Sequence, residues 1–143
     1  MITEDYISLE VAKLLKDKGF DQNCATYYPD EHVWYNYLDK YICRHYPSEI
    51  IPKDKQIYAA PTQAMAMKWL REEHHIHIEI YLYKTNGNYI EQKKNRKDPY
   101  YTFGVLDTIT GDNIDKRLIN DFIGDTYKQA CEAAIKYCLK NLI

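Results

Sequence analysis

Apolar residues along the chain gather into a few regular runs separated by stretches with little period. In "SLEVAKLLKDKGF", Val11, Leu14 and Leu15 recur at helical spacing with Ala12 beside them, and Ser8 stands where an N-cap belongs. Gly19 supplies a left-handed C′ position and Phe20 the apolar residue that follows it, so a first helix is expected over about 8–18. "APTQAMAMKWLREEHH" returns to the same period: Pro61 or Thr62 opens a helix, Met65, Ala66, Trp69 and Leu70 form its stripe, and His74 and His75 sit at its C-terminus. The last helix carries the strongest pattern, with Thr126 and Gln129 as a capping-box pair and Tyr127, Ala130, Cys131, Ala134, Ile135, Cys138, Leu139 and Leu142 on one face.

Period two appears in "IHIEIYLY", where Ile76, Ile78, Ile80 and Leu82 share one face and His77, Glu79, Tyr81 and Tyr83 the other. "TNGN" at 85–88 is a hairpin signal, because Asn86-Gly87 suits the positive φ values of a type I′ turn. A partner strand is expected from near Asn88, then a basic turn, then a strand from about Tyr100 to Thr108. Between 21 and 60 the pattern weakens. Two strands around the Pro29-Asp30-Glu31 turn, with Tyr27, Val33, Tyr35 and Tyr37, are followed by a long irregular loop reaching Ala60. "GDNIDKRLINDFIGD" permits a short helix through Ile114, Leu118, Ile119 and Phe122.

One sheet with one apolar face, covered by amphipathic helices, makes a two-layer domain. The expected fold is α+β: an antiparallel meander of three to five strands covered on one face by two or three helices, spanning 1–143 as a single domain.

The formal charge of −2 leaves no global field toward nucleic acid or an anionic membrane. The start, "MITEDYISLEVAKLL", is acidic where a secretory leader needs basic residues, and no apolar run approaches the ~18 residues of a membrane span. A cytoplasmic protein with no membrane partner is the expectation. Cys24, Cys43, Cys131 and Cys138 show no CxxC or zinc-type spacing and read as reduced, mostly buried thiols. The anomaly is tyrosine, with 15 copies against three phenylalanines, because every buried tyrosine hydroxyl needs a partner. Many of the tyrosines are therefore expected to be half exposed.

The stretches "ITEDYISLEVAKLLKDKGFD", "APTQAMAMKWLREEHHIHIEIY" and "TYKQACEAAIKYCLKNLI" resemble a group of small proteins encoded by phages and integrated mobile elements of gut Bacteroidetes, across about half of the chain. The group has no established activity or site residues. What the resemblance implies is a setting: a phage or prophage accessory protein acting inside a bacterial host cell.

Three residue sets carry candidate chemistry. The group Tyr27, Tyr28, Trp34, Tyr35, Tyr37 and Tyr41 reads either as a contact surface for a protein, since Tyr and Trp dominate interface anchors, or as a small second core. The basic run Lys93, Lys94, Arg96 and Lys97, beside Tyr100 and Tyr101, offers phosphate contacts and stacking for a single-stranded nucleic acid, or is simply a solvated turn. If a strand begins before His75, then His75, His77 and Glu79 share a face, and two neighbours at i, i+2 can converge on one ion. At ~3.3 Å per residue, His75 and Glu79 lie roughly 13 Å apart, so further ligands such as His32, His45 or Asp107 would be needed. The alternative is a helix end running into the wet face of a strand.

No GxSxG, GxxxxGK or dinucleotide fingerprint occurs. The sequence reading is a non-catalytic accessory protein that binds an unidentified protein partner and needs no cofactor, with nucleic-acid binding and then a metal-dependent enzyme as the alternatives.

Overall fold

In a computed structural model, the described residues are 2–24, 26–29, 57–84, 99–114 and 122–143. They form an α+β domain of three helices and two antiparallel strand pairs. The order is α1 (Leu9–Asp17), β1 (Tyr27–Pro29), β2 (Ile57–Ala59), α2 (Gln63–His74), β3 (Ile76–Tyr83), β4 (Tyr100–Asp107) and α3 (Tyr127–Asn141).

Each helix begins where a hydroxyl can satisfy an orphan amide. Ser8, Thr62 and Thr126 accept from the backbone N–H of Val11, Met65 and Gln129, respectively. At the end of α1, Phe20 N–H bonds Leu15 O and Gly19 N–H bonds Lys16 O, a Schellman closure that requires the positive φ of Gly19. At α3 the capping box is displaced by one residue, because Gln129 Oε1 accepts from Asp125 N–H rather than from the N-cap's own amide.

The end of α2 is less usual. His75, a non-glycine at φ 58°, caps the helix and turns the chain directly into β3. Its carbonyl accepts from Thr108 N–H, which extends the ladder of the strand pair by one step. β3 and β4 pair over their full length, from Ile76 opposite Asp107 to Tyr83 opposite Tyr100. The strand pairing is therefore direct between 76–83 and 100–107; the turn at 85–88 and the strand expected from Asn88 lie outside the described residues. The outer edge of β4 is occupied by bridges at Asn113 and Gly124. Asp107 begins the return: its Oδ1 accepts from Ile109 and Thr110 N–H, and its carbonyl from Gly111.

The second strand pair differs from the sequence expectation. Tyr27–Pro29 pairs with Ile57–Ala59, a segment read as the end of an irregular loop. Three-residue strands have almost no period to detect, and this one is held by distant partners: Lys16 Nζ bonds Ile57 O, and Ala60 N–H bonds Thr26 O.

The core lies between the β3–β4 pair and the helices. Ile76, Ile78, Phe103 and Val105 face Ala134, Ile135, Cys138 and Leu139 of α3, with Ile7, Val11, Leu15 and Leu70 alongside, all buried. α1 and α2 each pack on α3, and α1 also meets β2. Polar ties secure the same junctions: Glu132 accepts from Ser8 N–H and from Gln63 Nε2, and Glu10 pairs with Lys136 at 2.7 Å and Lys140 at 3.5 Å.

Two stability predictions follow from these contacts. Tyr28 donates its hydroxyl to Ile7 O at 2.6 Å inside the core, so Tyr28→Phe should lower unfolding stability by about 1 kcal/mol in urea titrations. The Glu10 carboxyl is held below its ordinary value, chiefly by the hydrogen bond from Lys136 and then by the charges of Lys136 and Lys140. A carboxyl more acidic folded than unfolded contributes stability above its unfolded pKa, which is lost as pH falls through the folded one. Glu10→Gln should accordingly flatten the loss of stability below the ordinary carboxylate range, as read from unfolding midpoints across acidic pH.

Candidate interaction surface

β3 begins inside the core and ends outside it. Ile76 and Ile78 are buried and Ile80 is half-buried, but Tyr81, Leu82 and Tyr83 are 38, 60 and 49% exposed. Pairing places Leu82 opposite Tyr101 on the helix-covered face, and Tyr83 opposite Tyr100 on the other. The Tyr83 and Tyr100 rings lie 5.5 Å apart, and Tyr101 meets the edge of Tyr127 at 6.1 Å and 88°. Tyr127 is the first residue of α3 and is 53% exposed. The far end of the sheet thus gathers aromatic and apolar side chains from β3, β4 and α3. Tyr81 lies across the pair toward Gly104, where a Cβ would come within 3.1 Å of its ring. Its hydroxyl donates to Glu79.

Several sequence candidates take other places. Tyr28 is in the core, so it does not belong to a contact surface, and Tyr27 is half-buried against the same core. Trp34, Tyr35, Tyr37 and Tyr41 lie outside the described residues, as do Lys93, Lys94, Arg96 and Lys97. Tyr100 is 4% exposed and presents no face for stacking on a base, while Tyr101 is half-buried and engaged with Tyr127.

The histidine set is also rearranged. His75 belongs to the helix cap, so His75 and His77 do not form an i, i+2 pair on a pleated strand, and Glu79 is bonded to Tyr81. Asp107 spends a carboxylate oxygen on its own turn, and His32 and His45 lie outside the described residues. Among the described residues no three His, Cys, Asp or Glu side chains gather as a metal site. Nor is any helix among them long and apolar enough to cross a membrane.

A cleft of about 420 Å³, not anticipated from the sequence, opens beside Tyr127. Its walls are Ala64, Met67 and Arg71 on one side of α2, Tyr127 and Cys131 at the start of α3, and Glu4 and Asp5 on the incoming chain. That chain is laid against the start of α2 by Ile7 N–H to Pro61 O and Gln63 N–H to Asp5 O, and Asp5 also pairs with Lys128 at 3.2 Å. Gln63, at the cleft floor and 4% exposed, donates Nε2 to Lys128 O at 3.1 Å. The local signal for the wall was present as the i, i+3, i+7 series Ala64, Met67 and Arg71, but nothing in it showed that residues 4 and 127 would close the other sides.

The thiols here are poor nucleophiles. Burial pushes Cys131 up to about 11 despite a hydrogen bond with the Tyr127 hydroxyl, and Asp5 and Glu132 push it the same way. Burial takes Cys138 up to about 12. A thiol that stays protonated at neutral pH neither attacks nor ligates. The cleft lining offers aromatic area, the Arg71 guanidinium and carboxylates, which suits recognition.

Tyr81 supplies a titration test. Its phenol is pushed up to about 12, first by the hydrogen bond to Glu79, then by burial and by the Glu79 charge. Tyrosine ζ-carbon NMR should show one resonance, absent in Tyr81→Phe, that titrates near 12, and Glu79→Gln should move it down toward the ordinary tyrosine value. No protein-family model, curated protein or solved structure matches the chain, so function is argued from these residues.

Proposed function

We propose that this protein works by binding another protein through the aromatic end of the β3–β4 pair, and that it serves as an accessory factor of a phage or mobile element in the cytoplasm of a bacterial host. The observation that carries the reading is the run Tyr81-Leu82-Tyr83, three consecutive exposed apolar or aromatic side chains at one end of the pair, with Leu82 on the face of Tyr101 and Tyr127 and Tyr81 and Tyr83 on the other. Isolated exposed apolar residues are ordinary, whereas a contiguous group rimmed by charge marks an interaction site. Tyrosine suits the task, because its large amphipathic ring gives contact area with little rotamer entropy to lose. The cellular setting is supported by the resemblance of the three scaffold stretches to phage and mobile-element proteins.

The test is capture from host lysate by the tagged full chain, with and without nuclease, beside the double variant Leu82→Ser, Tyr83→Ser. A discrete protein that survives nuclease and is held about 30-fold more weakly by the variant is the expected result, the size of a two-residue hot spot. Both side chains are solvent-facing, so the variant's unfolding midpoint should stay near that of the wild type. Capture that nuclease abolishes, or that the variant leaves unchanged, overturns the reading.

A further inference from the structure

The cleft has a charge pattern that the aromatic end does not use. Arg71 is half-buried on its wall, and its guanidinium makes no hydrogen bond or ion pair among the described residues. At the opposite end Glu4 also has no partner among the described residues, while Asp5 shares its charge with Lys128. Gln63 adds a buried amide at the acidic end: its Nε2 is committed to Lys128 O and to Glu132, and no donor among the described residues reaches its Oε1. A buried acceptor left unmatched costs free energy that a ligand N–H would recover. One end of the cleft therefore accepts hydrogen bonds and positive charge, and the other donates them.

The separation of the ends sets the size of what fits. Gln63 and Arg71 are eight residues apart on α2, about 12 Å at the helical rise of ~1.5 Å. An extended chain at ~3.3 Å per residue covers the distance in about four residues. Ala64 and Met67 supply an apolar stretch of wall between the charges, and the exposed Tyr127 ring also lines the cleft.

We propose that this cleft holds an extended peptide segment about four residues long, with a basic side chain toward Glu4, Asp5 and Gln63 and an acidic one at Arg71. The inference rests on the protein-binding reading and names the kind of segment the partner carries. Because Tyr127 borders both the cleft and the aromatic end, one partner chain can run from one to the other.

The test is fluorescence anisotropy of the full-length protein with labelled peptides containing Arg-Leu-Ala-Asp or the reversed order Asp-Ala-Leu-Arg, with versions in which Arg becomes Gln or Asp becomes Asn. One of the two orders should bind, and neutralising either charge should weaken it about fivefold, the effect of one partly exposed ion pair. Arg71→Met should erase the preference for Asp over Asn alone, and Glu4→Gln should reduce that for Arg over Gln alone. Both positions are accessible to solvent, and matching circular dichroism melts would show the variants folded. Failure of both orders to bind below about 1 mM, or binding indifferent to peptide charge or to these substitutions, overturns the proposal. Leu82→Ser, Tyr83→Ser should leave peptide affinity unchanged. Lysate capture that this double variant leaves unchanged, with peptide binding intact, would thus sink the aromatic-end reading alone, and capture weakened by the double variant without peptide binding by the wild type would sink the cleft alone.

Discussion

The seating of the small-residue face of α3 on the β3–β4 pair is the contact on which the other elements depend. Ala130, Ala134, Ile135, Cys138 and Leu139 are all at 0% exposure, and the alternation of short and branched side chains lets the helix approach the sheet closely. α1 and α2 do not build separate cores; each packs on α3 as well as on its own strand. Glu132 then connects all three helices, accepting from the N-cap residue of α1 and the first residue of α2. Burial supplies the driving force and the carboxylate fixes the angle at which the helices meet, since a hydrogen bond has a direction and apolar contact does not.

The same seating determines where exposed chemistry lies. The start of α3 is set by the bridge between Gly124 and Tyr101 on the outer edge of β4, two residues before the Thr126 cap. A Cβ at Gly124 would come within 2.9 Å of the Phe122 ring, so a glycine allows the chain to pass this close. With the helix beginning there, Tyr127 falls beside Tyr101 and over the cleft. The acidic end of that cleft is placed by backbone bonds through Pro61 and Asp5, with the Asp5 carboxylate also paired to Lys128. Glu4 and Arg71 are thus positioned mainly by the backbone around them, and neither is paired among the described residues.

What was legible in the sequence was local. The hydroxyl caps Ser8 and Thr126, the Gly19 stop and the apolar stripes of α1, α2 and α3 are written in neighbouring residues, while the start of α2 stayed open between Pro61 and Thr62; the α+β class follows from them together with the alternation in 76–83. Long-range pairing was not legible. Nothing near Tyr27 indicates Ala59 as its partner, and a three-residue strand is too short to have a period. Burial of individual tyrosines was hidden for the same reason: Tyr28 is inside because its hydroxyl finds Ile7 O across 21 positions, a fact of tertiary structure. His75 was ambiguous between helix and strand because it belongs to neither, and the left-handed conformation it adopts is one for which sequence rules expect glycine or asparagine.

The tyrosine-rich composition becomes intelligible once the lengths of the two layers are compared. Along β3 burial ends before the strand does: the apolar face runs from buried Ile76 and Ile78 through half-buried Ile80 to Leu82, which faces solvent. An eight-residue strand extends about 26 Å at ~3.3 Å per residue, and the helix layer crossing it covers only its first half fully. A purely apolar overhang would be an adhesive edge, prone to pairing with any exposed strand. Tyrosine moderates this, because its ring keeps contact area while its hydroxyl stays satisfied by water or, at Tyr81, by Glu79. Held on a paired strand, these rings have little freedom left to lose when a partner arrives, so the rigidity that the α3 contact gives the sheet also prepares its far end for recognition.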